Sequence, residues 1–139
     1  MENWIIPCNI RVYDVLAHFE RKDTIVMGIV ASLKKGDIAY LYLGAPFSQI
    51  KFRCHVLSDE IDDATLSENN YAIRRRTTTH RTPKYIMLKL DYTYPTDMLS
   101  LSELKKHGLC QIQIQSHVNR TLQSYLDGVN KHLGVLSTQ

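Results

Sequence analysis

The stretch that decides the fold runs Ile38-Ala39-Tyr40-Leu41-Tyr42-Leu43, then Gly44-Ala45-Pro46, then Ile50-Lys51-Phe52-Arg53-Cys54-His55-Val56. Its first part is apolar almost without a break, as expected of a central strand covered on both faces. Its last part alternates. Ile50, Phe52, Cys54 and Val56 fall on one face, and Lys51, Arg53 and His55 on the other, which predicts a buried face and an outward basic one. The short Gly-Pro turn between the two parts predicts an antiparallel pair.

Working outward, Trp4 to Cys8 reads as a buried strand that ends in a turn at Asn9. Asn9 can then cap a helix that puts Val12, Val15, Leu16 and Phe19 on one side. Thr24 to Leu33 is apolar and β-branched but interrupted by Gly28, and Lys34-Lys35-Gly36-Asp37 is a turn signal. Beyond the central pair, an acidic stretch from Ser58 to Glu68 precedes a basic one from Arg74 to Lys84. Tyr85 to Tyr92 returns to strand character, with Ile86, Leu88 and Leu90 in phase. Ser100 to His107 reads as a short helix stopped by Gly108, and Gln111 to Gln115 as a last strand. Leu122, Tyr125, Leu126, Val129 and Leu133 recur at helical spacing between Asn119 and Gly134, which suits a closing helix.

Strands and helices mix without a regular β-α-β alternation. The expected class is therefore α+β, a small, mainly antiparallel, barrel-like sheet with flanking helices. A length of 139 residues matches one domain, taken as residues 1–139. Net charge is only +3, which by itself selects no partner. Cys8, Cys54 and Cys110 form no C-x-x-C pair, so each is expected to be a small buried hydrophobe in a reducing compartment. No apolar run is long enough to cross a bilayer, and no signal region opens the chain; a cytoplasmic protein without membrane partners is expected.

A resemblance rests on the order of several pieces. They are Trp4-Ile5-Ile6-Pro7-Cys8-Asn9 with Tyr13-Asp14, Lys35-Gly36-Asp37-Ile38-Ala39-Tyr40-Leu41-Tyr42, Gly44-Ala45-Pro46-Phe47, Leu101-Ser102-Glu103-Leu104-Lys105-Lys106-His107-Gly108-Leu109 and Gln113-Ile114-Gln115-Ser116-His117-Val118. In this order, and with the central pair among them, the chain resembles the EVE domain of the PUA-like superfamily, a group that also holds ASCH, YTH and SRA-type base readers. The resemblance implies a small β-barrel whose concave pocket takes one base out of a nucleic-acid stack. Modified cytosine in DNA is its expected target, ahead of RNA, with a nuclease or motor protein as an expected partner. Carried over by position, the pocket would be edged by Cys8 and Asn9, walled by Tyr42, Leu43 and Gly44, and closed by Gln115 and Ser116. One departure stands out. The family usually has a tryptophan in the second apolar stretch, whereas this chain reads Ile25-Val26-Met27-Gly28-Ile29-Val30 there.

A flipped base needs a flat wall and a few polar atoms for its Watson–Crick edge. The amides of Asn9 and Gln115 can both donate and accept. Asn9 as a helix cap and Gln115 as a solvent-facing strand residue are the plainer alternatives. Tyr40 and Tyr42, two apart on one strand, share a face and could stack on the base; both also suit a core. Arg74, Arg75, Arg76, Arg81 and Lys84 lie in one stretch with His80 and several threonines but no acid. Guanidinium forks and hydroxyls are what phosphates need, so with Lys51, Arg53 and His55 these residues are expected to track a backbone. The competing reading pairs them with the preceding acids. No catalytic arrangement, metal-ligand spacing or cofactor motif is evident, so the expectation is a binder with no cofactor and no metal rather than an enzyme. The rivals are a small ASCH-like hydrolase of modified nucleosides and a protein-interaction module of a defence system.

Overall fold

The computed structural model describes residues 1–29, 31–62, 64–65 and 84–135. Six strands, β1 (Asn3–Cys8), β2 (Thr24–Ile29), β3 (Ile38–Leu43), β4 (Gln49–Ser58), β5 (Lys84–Thr93) and β6 (Ser116–His117), form one sheet in the order β2-β5-β4-β3-β1-β6. The helices are α1 (Val15–Arg21), α2 (Leu101–Lys106) and α3 (Arg120–Leu133).

The sheet curls into a half-barrel. Its two faces bury different clusters. On the inner face Ile6, Ile25, Leu41, Phe52, Cys54, Ile86 and Leu88 pack with Val15, Leu16 and Phe19 of α1. On the outer face Ile5, Ile38, Tyr40, Tyr42 and Ile50 pack with Leu104 of α2 and Leu122 and Leu126 of α3. β3 is buried along its whole length, as its unbroken apolar run predicts. Each fully buried aliphatic side chain contributes about 1.5–3 kcal/mol of transfer free energy, so this double-sided strand anchors the fold.

β2–β5, β5–β4, β4–β3 and β1–β6 are antiparallel, but β1 runs parallel to β3. Among the described residues the sheet is thus mainly antiparallel, as expected, with β1–β3 the exception. A parallel neighbour needs a long crossover, and α1 with β2 supplies it between β1 and β3. Nor do the described backbone ladders close the ring. Instead the Gln115 side chain reaches from the β6 end to accept a hydrogen bond from the Ala31 N–H, just beyond β2, at 3.1 Å.

Two β-bulges decide which way the basic residues point. The β3–β4 register shifts between Leu41 and Tyr42, so Leu41 faces Phe52 while Tyr42 faces Ile50, leaving Lys51 as the extra residue. Ile50 therefore joins the outer cluster and Phe52, Cys54 and Val56 the inner one, although their spacing placed all four on one face. The β4–β5 register shifts at Asp91, because Arg53 faces Tyr92 and Cys54 faces Leu90. That bulge turns the Asp91 carboxylate toward Arg53 and His55.

Local signals account for the ends. Ser100 and Asn119 cap α2 and α3 by accepting the Glu103 and Leu122 N–H groups, and Gly134 ends α3 in the left-handed region at φ 73°. Asp37 is a hub the periodicity did not reveal. Buried to 6% exposure, its carboxylate accepts the Glu2 and Lys34 backbone N–H groups and the Trp4 indole N–H at 3.0–3.1 Å, tying the turn to β1. Bonds to a charged acceptor contribute about 1.5–3 kcal/mol each.

Three local expectations are overturned. Helix α1 begins at Val15 under an Asp14 cap, not at Asn9; Asn9 Oδ1 instead accepts the Arg11 N–H at 3.0 Å in a turn that leaves Val12 exposed. The last strand is Ser116–His117, because the Gln111 side chain accepts the Gln113 and Ile114 N–H groups and bends the preceding segment. Cys110 is exposed rather than buried. No described helix is long and apolar enough to cross a membrane.

Candidate functional site

A cleft of about 880 Å³ opens where the exits of β1 and β3 meet the segment before β6. Its volume lies within the range of small-molecule pockets. One wall is Ile6, Pro7, Cys8 and Asn9 with the following loop residues Arg11, Val12 and Tyr13, and Val15 of α1. The others are Met27 and Gly28 of β2, Tyr42, Gly44 and Ala45, and Ile112, Gln113 and Gln115. Backbone contact holds two walls together, since the Gly44 N–H donates to the Cys8 carbonyl at 3.2 Å.

The fold thus brings together Cys8, Asn9, Tyr42, Gly44 and Gln115 from distant parts of the sequence. It does not bring Tyr40, Leu43 or Ser116 to the cleft. Tyr40 does share a face with Tyr42, but that face is covered by α3. The Tyr40 hydroxyl is fully buried and accepts a hydrogen bond from Asn130 Nδ2 at 3.0 Å, while Tyr94 donates to the other atom of the same amide. A base cannot reach this ring. Leu43 is buried in the inner cluster, and Ser116 pairs with Ile5 in the sheet.

The polar groups of the cleft are partly committed. Asn9 Oδ1 is used by the Arg11 N–H, which presents its amide NH₂ as the remaining donor function. Gln115 Oε1 is used by Ala31. Cys8 is a poor nucleophile: burial pushes its thiol from an ordinary 9.0 up to about 12, and Sγ lies 3.7 Å from the Ile6 carbonyl. Burial likewise raises the Tyr42 hydroxyl, opposed by a hydrogen bond with Ser48. Behind the cleft, Tyr13 and His18 are joined at 2.7 Å, and the second His18 nitrogen lies 2.7 Å from the Thr24 carbonyl. Those contacts fit an imidazole whose Nε2–H donates to the carbonyl and whose Nδ1 accepts from the phenol.

Among the predicted backbone contacts, Arg53 is corrected. It points to the outer face, yet the helices cover that face and leave it 5% exposed, beside Tyr40 and Tyr92. Its Nη1 lies 3.4 Å from Asp91 Oδ2, and His55 Nδ1 lies 2.7 Å from Asp91 Oδ1. The basic stripe is therefore neutralised where it was expected to be free. Lys51 is half-buried and reaches Thr96 Oγ1 at 3.4 Å, and Lys84 is exposed at the start of β5. Arg74, Arg75, Arg76 and Arg81 lie outside the described residues. Among the described residues no group of His, Cys, Asp and Glu is placed to hold a metal ion.

Arg11, Tyr13 and Gln113 line the cleft without having been read as site residues. Taking Asn9 as a helix cap hid the first two inside a helix. The usable signal was the second cap residue, Asp14, which frees residues 9–13 to form a loop.

The described chain is a curled six-stranded sheet with helices packed on both of its faces. Among solved structures, the fold is similar to a single-residue mutant of the ASCH protein from Zymomonas mobilis, with a TM-score of 0.62 and 12% identity over 92% of this chain and 96% of that one. A hypothetical protein from Leishmania major matches at TM-score 0.59 and 15% identity, over 96% and 97% of the two chains. A Pseudomonas putida protein matches at 0.61 and 15%, over 91% and 98%. No family model matches the chain, and no curated protein matches it. The likeness is one of fold, shared with the ASCH protein of Zymomonas mobilis.

Proposed function

We propose that this protein is a nucleic-acid-binding module without catalytic activity of its own, which draws a single unstacked base into the cleft. The observation that carries the reading is the lining itself. Two phenol-bearing residues, Tyr13 and Tyr42, stand with the amide side chains of Asn9, Gln113 and Gln115 around one opening. A flipped base asks for such a combination, a ring wall for its face and amides for its edge. The finer reading is EVE-like: a modified cytosine, in DNA ahead of RNA, with a nuclease or motor partner supplying the chemistry. Met27 and Gly28 hold the stretch where the EVE family has tryptophan, and in this reading Tyr13 takes over the stacking. Burial of the Cys8 thiol removes it as a nucleophile for a rival hydrolase reading.

The test is a titration on matched single-stranded DNA and RNA oligonucleotides, with and without cytosine modification, at two salt concentrations. Tighter binding of the modified DNA, weakened by salt, is the expected result. Equal affinity for all four with no salt dependence would overturn the base-reading function.

A further inference from the structure

Arginines in this fold meet two fates, and one of them marks the cleft. Arg53 is held beside Asp91. Arg11, by contrast, is exposed on the cleft wall, and among the described residues no carboxylate pairs with it. The cleft lining contains no Asp or Glu, so Arg11 is its sole formally charged group among the described residues. The backbone that carries it is also fixed. The Arg11 N–H is tied to the Asn9 side chain at 3.0 Å, and the Val12 and Tyr13 N–H groups donate to the Asn9 carbonyl at 3.0 and 3.2 Å. One turn therefore sets Asn9, Arg11 and Tyr13 as a unit. The space of about 880 Å³ is near the upper end of the usual pocket range and is generous for a base alone.

We infer that Arg11 is a phosphate clamp built into the base cleft, so that the ligand unit is a whole nucleotide, its base among the tyrosines and amides and its phosphate on the guanidinium. This inference rests on the base-binding reading above and adds the class of ligand: a nucleoside monophosphate, free or at the end or in a flipped-out position of a strand. A planar fork with fixed donors suits phosphate oxygens, and its charge needs no partner from the arginine-rich segment to act.

The experiment is calorimetric titration of the full chain with deoxycytidine, its methylated form, the monophosphate of each, and inorganic phosphate. Arg11→Ala and Arg11→Lys are titrated alongside. In the unaltered protein each monophosphate is expected to bind about tenfold more tightly than its nucleoside, as one charge-assisted contact provides. Arg11→Ala should erase that difference, and Arg11→Lys should restore part of it. Equal affinity for nucleoside and monophosphate overturns the clamp and leaves the base cleft standing. So does an Arg11→Ala variant that weakens both ligands alike. Inorganic phosphate binding as tightly as the nucleotides overturns it too, since the anion would then owe nothing to the base. If no nucleoside or nucleotide binds, the clamp is overturned, and the oligonucleotide titration decides the base reading separately.

Discussion

The rim of the cleft and the outer face of β4 and β5 each carry an arginine, and the two behave oppositely. Arg53 sits under helices with the Asp91 carboxylate 3.4 Å away, in a setting where charge serves packing. Arg11 stands on a loop beside an aromatic and amide-lined opening, where its charge faces a prospective ligand. The difference teaches that exposure and compensation, more than residue type or sequence spacing, separate a structural cation from a binding one. A bulge that turns one aspartate is enough to move an arginine from the second group to the first.

The contrast is broken most strongly by Asp91→Ala. Removing the Asp91 carboxylate takes its ion pair from the largely buried Arg53, with an expected loss of roughly 3 kcal/mol in urea unfolding. Nucleotide binding by the remaining folded protein should be unchanged. A variant as stable as the parent would show that the pair is as dispensable as a surface one.

Alkaline pH probes the cleft wall. The Cys8 thiol is raised in the folded state from 9.0 to about 12, so the folded form keeps a proton that the unfolded chain loses. Its contribution is fully present below pH 9 and is lost between about pH 9 and 12, at about 1.4 kcal/mol per pH unit. Buried Cys54 and Tyr94 are raised as well and add to the decline. Cys8→Ala should flatten the fall by one proton's worth, as read from unfolding midpoints across that window; an unchanged slope would remove Cys8 from the account.

Arg11→Ala sharpens the comparison from the other side. Stability should stay within about 0.5 kcal/mol of the parent, while the salt slope of oligonucleotide binding drops by about one unit. The smallest effect belongs to Lys84→Ala, an exposed site, with a change under about 0.5 kcal/mol in stability. A larger loss in unfolding experiments would mean that Lys84 has a structural role its exposure does not suggest.

Much of the architecture was legible because local chemistry and global packing agree. The unbroken run of β3 predicted burial on both sides, and Ser100, Gly108, Asn119 and Gly134 marked the ends of α2 and α3. What escaped reading was non-local. A bulge adds one residue without disturbing alternation along the strand, so Ile50 and Phe52 kept a common spacing while parting to opposite faces. The partner of Arg53 lies 38 residues away and is aimed by a second bulge. The parallel neighbour of β1 carries no short-range signal either. Within the site, Cys8, Asn9 and Gly44 were reached by position through the family resemblance rather than through a local signal. Arg11 and Tyr13 were missed because they lie between two residues, Asn9 and Asp14, that could each begin the helix, and only the packed structure selects between them.

The parallel seating of β1 also governs how the chain can assemble. Trp4 pairs with Ala39 on one side and with His117 on the other, so β1 needs a partner more than a hundred residues away in sequence before its second edge is covered. Topologies of this kind close late and slowly, because distant segments must meet before their contacts reward the meeting. Of the cleft's walls, the segment that carries Gln115 is the last in sequence, so a chain cut before Ile112 would keep the residues of both strand exits and lack that side of the mouth.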